Sequence, residues 1–155
     1  MESFEKKILD ARTRLNVAEH MLLSTYPLLK DPKLLVGILE NVFLAFKYAL
    51  SGFMEHERYY KRISPYAKDS ELTTFKLKIQ SKYEFDRVFA KTYDKLSEAV
   101  LLHKNSPIEF SRNDSFVIAS DTYSLKKLSP DELKKDIKTC KEFLSVLTQT
   151  MKRDK

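Results

Sequence analysis

Arg14 and His20, in the stretch RLNVAEH, are the first residues of this chain whose types and spacing could act on a phosphodiester. A guanidinium holds charge on phosphate while an imidazole passes a proton, a metal-independent route to RNA cleavage. Six positions on a helix amount to about 600° of rotation and about 9 Å of rise, so the two side chains point about 120° apart. They meet only if a second copy brings its own pair to a shared cleft. In a chain with 28 lysines and arginines and three histidines, so loose a spacing arises readily by chance. The preferred reading is an exposed polar pair, with catalysis by Arg14 and His20 as the alternative.

A second stretch, ERYYKRISPYAK, interleaves Arg58, Lys61, Arg62 and Lys68 with Tyr59, Tyr60 and Tyr66. Cations there neutralise phosphates while tyrosine rings stack on unpaired bases. These seven residues are the candidate nucleic-acid contacts. The competing account has the rings capping a core and the cations solvated. Neighbours on a helix point about 100° apart, so one of Tyr59 and Tyr60 is expected in the core.

Other chemistries find little support. His20, His56 and His103 are scattered with no HExxH spacing, and a single cysteine, Cys140, cannot build a thiolate site. No metal and no cofactor are expected. There is no GxSxG elbow and no P-loop, and Gly37 and Gly52 are the chain's two glycines. His56, in MEHERYY, is expected to line a helix end rather than act as a base. One cysteine forms no internal disulfide, which points to a reducing cytoplasm, and residues 1–14 lack the apolar run of a secretory signal. The net charge of +6 suits anionic partners: RNA, DNA, an acidic protein or a lipid surface.

The elements that must position these residues follow from periodicity. Phe4, Ile8, Ala11, Leu15, Ala18 and Leu22 recur at steps of four and three, predicting a helix over 3–26 that Pro27 ends. Asp31 and Pro32 then supply an N-cap and first turn for a helix over 32–62. That helix is apolar nearly all round. Glu40, Asn41 and Lys47 within it argue against a membrane span and for a central bundle helix. Because one neighbour cannot cover so many apolar faces, a homodimer or protein partner along residues 34–54 is expected.

A third helix is expected over 70–103, kinked near Tyr83 to Phe85 where Lys82 and Asp86 interrupt its stripe as a pairable i, i+4 couple. Alternation in SPIEFSRNDSFVIAS predicts a β-hairpin over 107–119 turning at Arg112 to Asp114. Ser129, Pro130 and Glu132 open a last helix over 130–151. The fold class is therefore mainly α: one domain, a bundle of four long helices with a small β-hairpin inserted before the last.

Residues 9–54, LDARTRLNVAEHMLLSTYPLLKDPKLLVGILENVFLAFKYALSGFM, resemble the start of the HEPN family, small helical-bundle proteins often tied to RNA cleavage or toxin–antitoxin systems. Active members carry an Arg-x4–6-His motif late in the bundle, with a polar residue after the arginine. Here the spaced pair lies in the first helix and Leu15 follows the arginine. The preferred function is a non-enzymatic, HEPN-like interaction module of the cytoplasm, with the tyrosine stretch as its candidate RNA contact. A metal-independent ribonuclease or toxin–antitoxin component and a protein–protein scaffold are the alternatives.

Overall fold

The computed structural model describes residues 1–106, 108–122 and 124–153. Its axis is α3 (Leu34–Tyr59), which lies against α1 (Ser3–His20), α5 (Val88–Asn105) and α6 (Pro130–Lys152). Leu35, Ile38, Leu39, Val42, Phe46 and Phe53 are almost fully buried on it. By length and composition alone α3 could cross a membrane. In the fold much of its apolar surface packs within its own chain, while Leu34, Phe43, Leu44 and Tyr48 stay partly exposed.

Helix α1 packs more extensively on α3 than any other element does, and both bury small residues: Ala11 and Ala18 on one, Ala45, Ala49 and Gly52 on the other. A Cβ on Gly52 would sit 3.1 Å from the Phe4 carbonyl oxygen and from the Ile8 side chain. Any side chain at position 52 must displace the Phe4 backbone or the Ile8 side chain by a few tenths of an ångström.

Five helical stretches replace the four long helices of the sequence reading. The first does not stop at Pro27: a π turn at Met21–Thr25 leads into α2 (Tyr26–Leu29). Proline lacks an N–H and crowds the carbonyl four residues back, and a widened turn accommodates both problems. The expected third helix is two. A 3-10 turn at Lys68–Ser70, α4 (Glu71–Thr74) and a π turn at Phe75–Ile79 make one stretch, and α5 starts afresh at Val88. Between them Glu84 adopts φ 55, which no helix continues through. Lys82 and Asp86 are not a pair either. The Lys82 ammonium lies 5.2 Å over the Tyr83 ring, while Asp86 Oδ1 accepts the Val88 amide at 2.9 Å and starts α5.

The expected hairpin is part of a three-stranded antiparallel sheet, β1 (Ile108–Arg112), β2 (Ser115–Ala119) and β3 (Leu125–Leu128), with β2 central. Arg112 pairs with Ser115 across Asn113 and Asp114, and Asn113 at φ 56 makes the turn. Phe116 and Ile118 of β2 enter the core. Strand β3, sequence LKKL, is short and carries two lysines, as edge strands do, so its alternation is weak. Position 107, expected to begin the hairpin, lies outside the described residues. Ser129 caps α6 as expected, its side chain accepting the Glu132 amide at 3.3 Å.

Both glycines sit inside α3, so other residues make the left-handed turns that glycine usually makes. Lys30 ends the first stretch at φ 50, Lys61 follows α3 at φ 58, and Glu84 follows the π turn. After α3 the Arg62 amide bonds the Glu57 carbonyl at 2.9 Å and the Lys61 amide the Arg58 carbonyl at 2.9 Å. This is a Schellman ending with lysine in the glycine position.

Candidate functional site

That Schellman turn places the tyrosine stretch at the end of α3. Helix geometry fans Arg58, Tyr59 and Tyr60 outward, and the left-handed Lys61 swings the chain back over the helix end. Tyr59 is 56% and Tyr60 40% exposed, so neither ring belongs to the core. The expectation that one would be buried fails because α3 ends here. In its last turn His56 and Glu57 face inward, while Tyr59 and the following Tyr60 lie on the open side. The two rings meet edge to face, centroids 5.0 Å apart, and Tyr59 leans on Phe4 of α1 at 5.4 Å.

The cations divide by role. Arg58 is exposed and lies 5.6 Å over the half-buried Tyr66 ring, while Lys61 and Lys68 are exposed. Arg62 lies 5.0 Å over the Tyr60 ring and donates from Nη1 to Glu57 Oε2 at 2.7 Å. Arg58, Lys61 and Arg62 border a shallow hollow of about 390 Å³ that Ile63, Ser64 and Pro65 also line.

Beneath the hollow is a polar network that sequence reasoning missed. Glu57 is fully buried, accepts from Arg62 and from the Tyr83 hydroxyl, and has His56 Nδ1 3.6 Å from Oε2. Burial, and then the Glu57 carboxylate, push the Tyr83 hydroxyl up to about 12, so it stays a neutral donor. The available signal was Glu57 itself, four residues after Phe53 and seven after Leu50 on a buried stripe. His56 is buried and its ring lies tilted against Tyr60, centroids 4.8 Å apart. Tyr66 donates to Glu71 Oε2 at 3.3 Å, and burial is the main cause that raises its hydroxyl above the ordinary range.

Arg14 and His20 are both exposed on α1 and are not brought together. Arg14 Nη1 reaches Asn41 Oδ1 on α3 at 3.3 Å, and among the described residues no hydrogen bond joins the pair. His103 sits elsewhere, its Nδ1 2.7 Å from Glu109 and its Nε2 3.9 Å from Glu40. No group of three or more His, Cys, Asp or Glu residues is placed to hold a metal ion among the described residues.

Compared with protein-family models, curated proteins and solved structures, the chain matches none.

Proposed function

We propose that this chain is a non-enzymatic, HEPN-like interaction module of the cytoplasm that binds single-stranded RNA at the end of α3. The observation that carries the reading is the exposure of Tyr59 and Tyr60 beside the exposed cations Arg58 and Lys61. Rings offer stacking faces to any base, and cations one to three residues away can meet the flanking phosphates. Arg62 has a different part. Its guanidinium balances the buried Glu57 and holds Tyr60 in place. The carbonyl end of α3 repels anions, and the exposed Arg58 and Lys61 side chains carry positive charge out past it to meet phosphates.

The test is fluorescence anisotropy of a labelled single-stranded oligonucleotide across a salt series. Two phosphate contacts, from Arg58 and Lys61, contribute about 1.4 to the log–log salt slope. The double variant Arg58→Ala/Lys61→Gly should flatten the slope by that amount. Glycine relieves the left-handed strain at position 61 by about 1 kcal/mol, so a loss of binding cannot be blamed on unfolding. Tyr59→Ala should cost about 1–3 kcal/mol of affinity with the slope kept. The oligonucleotide should stay intact on a gel. Cleavage abolished by Arg14→Ala and by His20→Ala would restore the ribonuclease reading, and an unchanged salt slope would remove the RNA site.

A further inference from the structure

Helices α1 and α6 run antiparallel: Phe4 and Ile8 share one cavity with Thr148 and Met151, and Leu22 and Leu23 share a groove with Ile137 at the far end. That groove, about 570 Å³, lies away from the tyrosine cluster. Its floor is Leu22, Leu23 and Ile137. Its rim is cationic: Lys134, Lys138 and Lys141 stand one above another along α6, with Lys135 beside them. We propose that the groove docks an acidic amphipathic helix of a partner protein.

Charge is the first argument. Lys141 is paired with Glu19 across the groove. Among the described residues Lys134, Lys135 and Lys138 have no ion-pair partner, so like charges stand together on adjoining turns. Asp131, the other carboxylate on the rim, lies in the first turn of α6, where the helix dipole offsets its charge. Incoming glutamates or aspartates would relieve the lysine repulsion. The second argument is apolar surface. Leu23 is 55% exposed, and Leu28 and Leu29 beyond it are 84% and 64% exposed, so burial of leucine surface is available to a partner.

Shape decides the class of partner. A trough between two antiparallel helices accepts a third helix, as helices pack in bundles. Lys134 to Lys141 spans about 10 Å, two turns, so leucines three and four residues apart on the partner reach the floor while its acidic flank meets the rim. Among the described residues no aromatic side chain lines the groove to stack on bases.

The probes are labelled synthetic helical peptides with leucines at three- and four-residue spacing and glutamates on both flanks, varied in register, titrated by anisotropy with the full chain. Binding should weaken with salt. Lys134→Glu/Lys138→Glu should weaken it about tenfold or more through lost complementarity, and Leu23→Asp should do the same through the floor. All three positions are exposed, so folding by circular dichroism should not change. Peptides with lysines in place of glutamates should avoid the wild-type chain and bind the Lys134→Glu/Lys138→Glu variant. The proposal is overturned if no peptide of the panel binds below about 1 mM, a negligible affinity. It is equally overturned if lysine peptides bind the wild type as well as glutamate peptides do. Preferential capture of phosphatidylserine vesicles or of an oligonucleotide through the same lysines would assign the groove to a membrane or to nucleic acid instead.

Discussion

Replacing Arg62 by alanine should destabilise the protein by about 3–5 kcal/mol, the cost of leaving a buried carboxylate without its cation. Glu57 has no exposed surface and cannot recover the lost interaction from water, while Arg62 itself is 27% exposed. The Tyr83 hydroxyl still donates to Glu57 in the variant, which places the loss toward the lower end, about 3 kcal/mol. For a chain of this size that is a fall in Tm of about 10 °C. The reverse deletion, Glu57→Gln, should cost less. A carboxamide can still accept from Tyr83, and the guanidinium left behind can turn toward solvent. Urea unfolding followed by circular dichroism reads both variants, and the cycle with Tyr83→Phe apportions the network. In the salt series Arg62→Ala should leave the slope unchanged, since its charge answers Glu57 rather than phosphate. A loss under about 1 kcal/mol would mean that Glu57 is not held as a buried ion, and the account of the helix end would be wrong.

The two glycines should respond oppositely to alanine. Gly37→Ala meets only the flexible tip of Met21, 2.9 Å from the new Cβ, and should gain up to about 1 kcal/mol of helix propensity; Gly52→Ala pushes on the Phe4 backbone and should lower Tm despite the same gain. Burial, more than the opposing contacts of Tyr66 and Lys7, raises Glu71 above its ordinary 4.5. Its native form therefore prefers the proton, and its contribution is full below the unfolded value and lost as pH rises through the raised one. Glu71→Gln should gain on the wild type as pH rises above the ordinary carboxylate range, and a pH-independent difference would refute the assignment. Cys140 is fully buried, and burial drives its thiol far above the ordinary range, so a thiol reagent should label it only at the rate of global unfolding; labelling in the native state would contradict the packing of α6.

The helical faces were legible because burial imposes a period on the sequence. Phe4, Ile8, Ala11, Leu15, Ala18 and Leu22 are all buried, and so are Leu133, Ile137, Cys140, Leu144 and Leu147 of α6. Ser129 announced its helix through a local bond, and β2 announced itself through Phe116 to Ala119. The candidate site was legible as composition, with tyrosines and cations interleaved at a helix end.

What the chain order alone determined is local: which faces are apolar, where a cap or a turn residue starts an element, and which residue types are present to meet an anion. Tertiary structure decided the rest, because those outcomes depend on partners distant in sequence. Pro27 could end a helix or be absorbed by a π turn, and the packing of Leu22 against the core selects the turn. Residues 81–87 could bend one helix or separate two, and the separation lets both Phe85 and Phe89 enter the core. The lysines of β3 read as loop until β2 supplies the neighbour that makes them an edge. Arg62 looked like one more phosphate-binding cation, and only the fold sets it against Glu57, whose burial by Tyr83 and by the core ties that charge to structure.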